Sequence, residues 1–154
     1  MDQKTDTPHT SQQILDIAQQ LVQTRGFNAF SYADIAAELH ISKASLHYHF
    51  ASKAELGAKL SERYDAGMAR ALGEIDVMGG GAATKLRRYV GLYAKVLEDV
   101  RMCPCGMLAA EFATLPKAIE TALSSFFPLN ERCVVIVLQW ARGGGPRQLR
   151  GTYC

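Results

Sequence analysis

Four helix starts crowd into the stretch from Ser11 to Ser52, and that spacing constrains the chain more than any other feature. From Ser11 onward, Ile14, Ile17, Ala18, Leu21 and Val22 recur at i, i+3, i+4, i+7 and i+8, the apolar stripe of one helix. Arg25 suits its last turn and Gly26 its stop. Ser31 with Asp34 is an acidic relative of the capping box, opening a short helix with Ile35, Ala36 and Leu39 inward. His40-Ile41 makes a tight turn, and Ser42 offers a new N-cap for a helix through Phe50. Ser52 and Glu55 form a full S-x-x-E box ahead of a longer helix with Leu56, Leu60 and Tyr64 on one stripe. Starts this close leave room only for short helices joined by tight turns. The rhythm is that of a helix-turn-helix.

Downstream, the long fourth helix is expected to reach about Ile75 and fray at Gly79–Gly81. Thr84 to Val100 reads as a helix with Leu86, Tyr89, Val90, Tyr93, Val96 and Leu97 inward, broken by Pro104. Gly106 to Phe112 follows as a short apolar helix, and Pro116 suits the first turn of one carrying Ile119, Leu123 and Phe126. The expected fold is all-α, with a helix-turn-helix DNA-binding domain over residues 9–69 and a helical ligand and dimerisation domain over 70–154. Order is expected to become irregular from about residue 133. Pro128 interrupts a helical stretch, Val134-Val135-Ile136-Val137 is β-branched, and residues 142–154 have no apolar periodicity.

Composition enters by exclusion. At 48% hydrophobic and 21% charged the 154 residues are ordinary globular material, which excludes wholesale disorder. The longest apolar run, Cys133 to Leu138, falls far short of the roughly 20 residues a bilayer span needs. The opening decapeptide MDQKTDTPHT has no apolar signal region. A cytoplasmic protein away from membranes is expected, its four cysteines read as thiols. Residues 1–60 carry five Lys/Arg against six Asp/Glu. A nucleic-acid partner therefore cannot be argued from bulk charge, only from local arrangement.

That arrangement lies between Glu38 and Glu55, where there is no acidic residue. Lys43, Lys53, His47 and His49 lie there with Ser42, Ser45 and Tyr48. A short helix with small and polar residues at its start can enter a major groove about 12 Å wide. Ser45, His47 and Tyr48 can bond base edges or phosphates. Lys53, at the start of the next helix, is placed where free amides, the dipole and the ammonium all favour a phosphate. Leu46 and Phe50, four apart, would pin this helix to those beneath.

Residues 10–60 resemble the DNA-binding domain of the TetR family of bacterial transcription regulators. The resemblance is carried by Gly26-Phe27, by Ser31-Tyr32-x-Asp34-Ile35-Ala36, and above all by Leu46-His47-Tyr48-His49-Phe50-x-Ser52-Lys53-x-x-Leu56. The family's common form of the last is L-Y-Y-H-F-x-S-K-x-x-L, so His47 departs from a usual Tyr, and His40 stands where a turn Gly is usual. More weakly, residues 86–131, including Met102 to Glu111, look like the ligand-binding half of one subgroup. The resemblance implies a homodimeric, ligand-responsive repressor on a near-palindromic double-stranded operator, with a small-molecule effector. It implies that Ser31 and Tyr32 contact the DNA backbone, that Lys43, Ala44, Ser45 and His47 read bases, and that Tyr48, His49 and Lys53 contact phosphates. The alternative is a truncated or frameshifted product, interaction-only or defective, with a sound DNA-reading head and no dimer interface.

Other chemistries fare worse. His47 and His49, two apart, point to nearly opposite sides of a helix and cannot chelate one ion together. Cys103-Pro104-Cys105 is too closely spaced for ordinary zinc ligation and reads as two partly buried thiols at a helix break, with thiol sensing as the rival. Gly79–Gly81 lacks the Lys-Ser/Thr of a phosphate loop. No Ser/His/Asp set or carboxylate pair stands out, so no enzyme, catalytic residue, metal or cofactor is expected. Met68, Leu72, Tyr89, Tyr93, Met107 and Phe112 are the candidate ligand-pocket residues, against the plainer reading of core packing.

Overall fold

Ile14, Ala18 and Val22 are completely buried along one stripe, the seam on which the first helices assemble. The computed structural model describes residues 7–141. Helix α1, Thr7–Arg25, starts one turn before Ser11 and stops at Gly26, whose φ of +88° only glycine adopts without strain. Helix α2 spans Tyr32–Leu39, and the backbone N–H and hydroxyl of Ser31 both donate to Asp34, at 2.7 and 2.8 Å. These two donors hold the Asp34 carboxyl below its ordinary value. His40 closes α2 at φ +54°, the left-handed conformation that His tolerates better than most residues. Helix α3 is Lys43–His49 and α4 is Lys53–Val77. The four-start rhythm is therefore real.

Helix α4 runs unbroken past residue 69 and serves both halves. Leu56 and Leu60 pack under the head, and Met68 and Leu72 belong to the same continuous core further along. The second half comprises α5 (Ala82–Glu98), α6 (Pro104–Ala110), a 3-10 turn at Phe112–Thr114, α7 (Lys117–Leu123) and α8 (Phe126–Ala141). Helix α6 begins two residues before Gly106 because Pro104 occupies the first helical turn, where its missing N–H costs nothing. No strand occurs among the described residues, and none of their helices is long and apolar enough to cross a membrane.

Two expectations need correction. Helical order does not fail near residue 133, since α8 continues to Ala141. Pro128 lies in its first turn, where no intrahelical N–H is needed, and β-branched residues disfavour helix only by tenths of a kcal/mol, about what packing easily offsets. The stretch 142–154 lies outside the described residues. On α5, Val90 and Leu97 are 61% and 58% exposed although both belong to the apolar stripe. The helix packs on α4 and α8 from one side, which is narrower than the stripe. Cys103 and Cys105 are free thiols.

Candidate nucleic-acid interface

Helix α3 owes its orientation to two residues. Leu46 is completely buried and Phe50, just past the helix end, is nearly so. With that side fixed, helical periodicity turns Lys43, Ala44, His47 and Tyr48 outward, Tyr48 to 77% exposure, and leaves Ser45 and His49 half-buried at the edges. Ser42 caps the helix, its hydroxyl accepting the Ser45 N–H at 3.1 Å. Ser52 caps α4 the same way, accepting from Glu55 N–H at 3.1 Å, while the Glu55 carboxylate takes the Ala51 N–H at 3.0 Å. Two caps ten residues apart make the α3–α4 turn rigid.

His47 is held from behind. Its ring lies 4.8 Å from that of Tyr32, and Nδ1 sits 3.1 Å from the Ala51 carbonyl. A carbonyl only accepts, so Nδ1 carries the hydrogen, and Nε2, the acceptor of the neutral ring, is left for a donor on a base edge. The Tyr48 and His49 rings stand edge to face, their centroids 5.2 Å apart.

Two expected DNA contacts face the other way. Tyr32 is buried, and its hydroxyl donates to the Phe50 carbonyl at 2.9 Å. Burial, assisted by the charge of Glu55, pushes its phenol up to about 12. Lys53 does begin α4, but its ammonium is turned inward. It donates to the carbonyl of Phe27 at 2.6 Å and to that of Phe30, and lies 4.5 and 4.3 Å from the two ring centroids. Burial lowers its pKa. Two carbonyls and two aromatic faces, from residues 26 and 23 positions earlier in the chain, make a complete cation site. Ser31 is exposed, with its hydroxyl engaged by Asp34. The outward ridge is therefore Ser42, Lys43, Ala44, His47 and Tyr48, flanked by Ser45 and His49.

The candidate pocket residues divide similarly. Met68 and Leu72 are buried in the shared core, and Tyr89, Tyr93 and Met107 pack partly buried against it. Phe112 is half exposed on the turn after α6, outside that cluster, because the helix ends two residues before it, at Ala110. The tyrosines converge on a residue that the sequence reading missed. Asn130 Oδ1 accepts from Tyr93 at 2.9 Å and from Tyr89 at 3.4 Å, and its Nδ2 donates to the Phe126 carbonyl at 2.8 Å. Burial raises the Tyr93 phenol well above its ordinary value. Tyr64 reaches Cys103 Sγ at 3.5 Å, joining α4 to the start of α6, and burial pushes the neighbouring Cys105 thiol up. Asn130 and Glu111 carry no local signal. Their partners lie tens of residues away, so no spacing rule finds them.

Residues 14–59 match the model of the family described as bacterial regulatory proteins, tetR family. Among solved structures, a TetR transcriptional regulator from Legionella pneumophila is 33% identical with a TM-score of 0.79, over 84% of this chain and 72% of that one. A TetR-family regulator from Agrobacterium tumefaciens is 30% identical with a TM-score of 0.86, over 96% and 78%. A transcriptional regulator from Saccharomonospora viridis, solved in complex with choline, is 23% identical with a TM-score of 0.74, over 92% and 75%. No curated protein matches the chain by sequence.

Proposed function

The chain belongs to the TetR family of bacterial regulatory proteins and is a DNA-binding transcriptional regulator; from that premise we propose that it is a ligand-responsive repressor, working as a homodimer on a near-palindromic operator. The observation that carries the reading is the outward ridge of α3, anchored by the buried Leu46 and offering Lys43, His47 and Tyr48 to a groove. We assign DNA binding to residues 9–69 and regulation to the rest. Two protomers would set their α3 helices in successive major grooves, about 34–36 Å apart or somewhat more. An effector held among Met68, Leu72, Tyr89, Tyr93 and Met107 would favour a spacing that no longer fits, a shift between two populations. The choline in the Saccharomonospora viridis structure supports a search for a small-molecule effector. The defective-product alternative is not favoured, because α8 stays helical past residue 133, where irregular structure was expected.

The test is selection of bound duplexes from a random pool, followed by sedimentation of the chain with the recovered duplex. Near-palindromic sequences binding two protomers are expected. No enriched sequence, or one protomer per duplex, overturns the proposal.

A further inference from the structure

Glu111 ends α6 in a position that local preference argues against. A carboxylate at a helix C-terminus faces the negative end of the dipole. Its partners explain it. Oε2 accepts the backbone N–H of Phe27 at 2.6 Å and Oε1 that of Asn28 at 3.2 Å, in the turn between α1 and α2. Asn28 adds a second tie, its Nδ2 donating to Thr114 Oγ1 at 2.8 Å. Gly26 makes room, since a Cβ there would stand 2.9 Å from Glu111 Oε1. A third tie lies alongside, the Met102 N–H donating to the Gln23 carbonyl at 3.0 Å.

The turn so held is also held from the other side. The Phe27 carbonyl accepts from Lys53 Nζ at 2.6 Å, so one residue is gripped by Glu111 through its N–H and by Lys53 through its C=O. Lys53 is the first residue of α4, directly after the Phe50-Ala51-Ser52 turn that ends α3. The charge of Glu111 in turn favours the Lys53 ammonium. Beneath this chain of contacts, Gly57 lets α4 close on Phe27 and on Ile119 of α7 so tightly that a Cβ would meet Ile119 at 2.4 Å. Packing of that kind fixes distance but not direction. Charge-assisted hydrogen bonds fix direction.

We propose that Glu111 is a positioning residue for DNA binding, holding the α1–α2 turn and, through Phe27 and Lys53, the recognition helix in its groove-competent orientation. The proposal rests on the DNA-binding reading above and adds the contact by which the regulatory half steers the head. Any movement of the α6 end breaks the bonds to Phe27 and Asn28 before it disturbs the apolar core.

The experiment uses the full chain and the duplex that selection returns for the wild type. Glu111→Gln keeps the shape, removes the charge and turns an amide N–H toward one of the two backbone donors. Helix content like that of the wild type is expected, with binding weakened roughly three- to thirtyfold. The double variant E111Q/K53M should bind no more weakly than the worse single variant, because the two act along one chain of contacts. If E111Q loses helix content, Glu111→Asp, which keeps the charge and reaches one donor, replaces it with the same expectation. A folded variant that binds within twofold of wild type, or additive losses in the double variant, overturns the positioning role alone. A wild-type chain that enriches no duplex overturns the DNA-binding reading and this role with it.

Discussion

The hydroxyl of Tyr32 donates to the carbonyl of Phe50 at 2.9 Å, tying the first residue of α2 to the residue that ends α3. The helix proposed to face DNA is thus braced by a side chain buried behind it. Tyr32→Phe keeps the ring under His47 and removes only this bond. A loss of about 0.5–1.5 kcal/mol is expected at neutral pH, read by denaturant unfolding. The pH dependence has a definite sign. The folded-state phenol is raised from 10.0 to about 12, so its contribution is complete below pH 10 and lost as pH rises toward 12. Stability of the Phe variant should fall less steeply than wild type across that window.

Lys53→Met separates the two roles open to this lysine. If its ammonium belongs to the Phe27 and Phe30 carbonyls, the variant loses about 1–3 kcal/mol of stability for the acceptors left without it. The salt dependence of DNA affinity should keep its slope. A slope lowered by about one unit with unchanged stability would return Lys53 to the phosphates.

Lys43 is the cation on the outward face, and Lys43→Ala should lower that slope by about one while weakening all duplexes similarly. Ser45→Ala and His47→Ala should instead change which bases selection returns, at about 1–3 kcal/mol per lost base contact. Identical consensus sequences for wild type and both variants would remove these two side chains from base reading.

Leu46→Ala should damage DNA binding without touching DNA. The side chain is fully buried, and truncation costs about 2–5 kcal/mol. Thermal melting and duplex binding should fall together. A variant that melts like wild type and binds normally would mean that α3 is anchored elsewhere.

Val100 adopts φ +56° just past the end of α5, where glycine is the usual solution. It is 90% exposed, so little packing would be lost on replacing it. Val100→Gly should raise stability by about 1 kcal/mol, the relieved strain exceeding the added freedom of the unfolded chain. A lower melting temperature would show that the valine makes contacts worth more than its strain.

The division between sequence and tertiary structure follows the range of the forces. Apolar spacing, serine caps and stop residues act within about one helical turn. Residues 11–55 alone therefore determined where α1 ends and where α2 to α4 begin, that Leu46 faces in, and that Lys43, His47 and Tyr48 face out. The His40 turn belonged to the same local grammar. What a long polar side chain does once its helix is placed depends on the groups that folding brings within 3 Å, and these come from anywhere in the chain. Lys53 found the Phe27 and Phe30 carbonyls, Tyr32 found Phe50, and Asn130 found two tyrosines. Burial decides such choices, because an unpaired donor or acceptor costs more inside the fold than in water. The same holds for α5, whose apolar stripe named candidates for the core while the neighbouring helices decided which were covered. Glu111 states the limit most sharply. Its two partners stand 84 and 83 residues earlier in the chain, and only the packing of α6 beside α1 brings the carboxylate to their N–H groups.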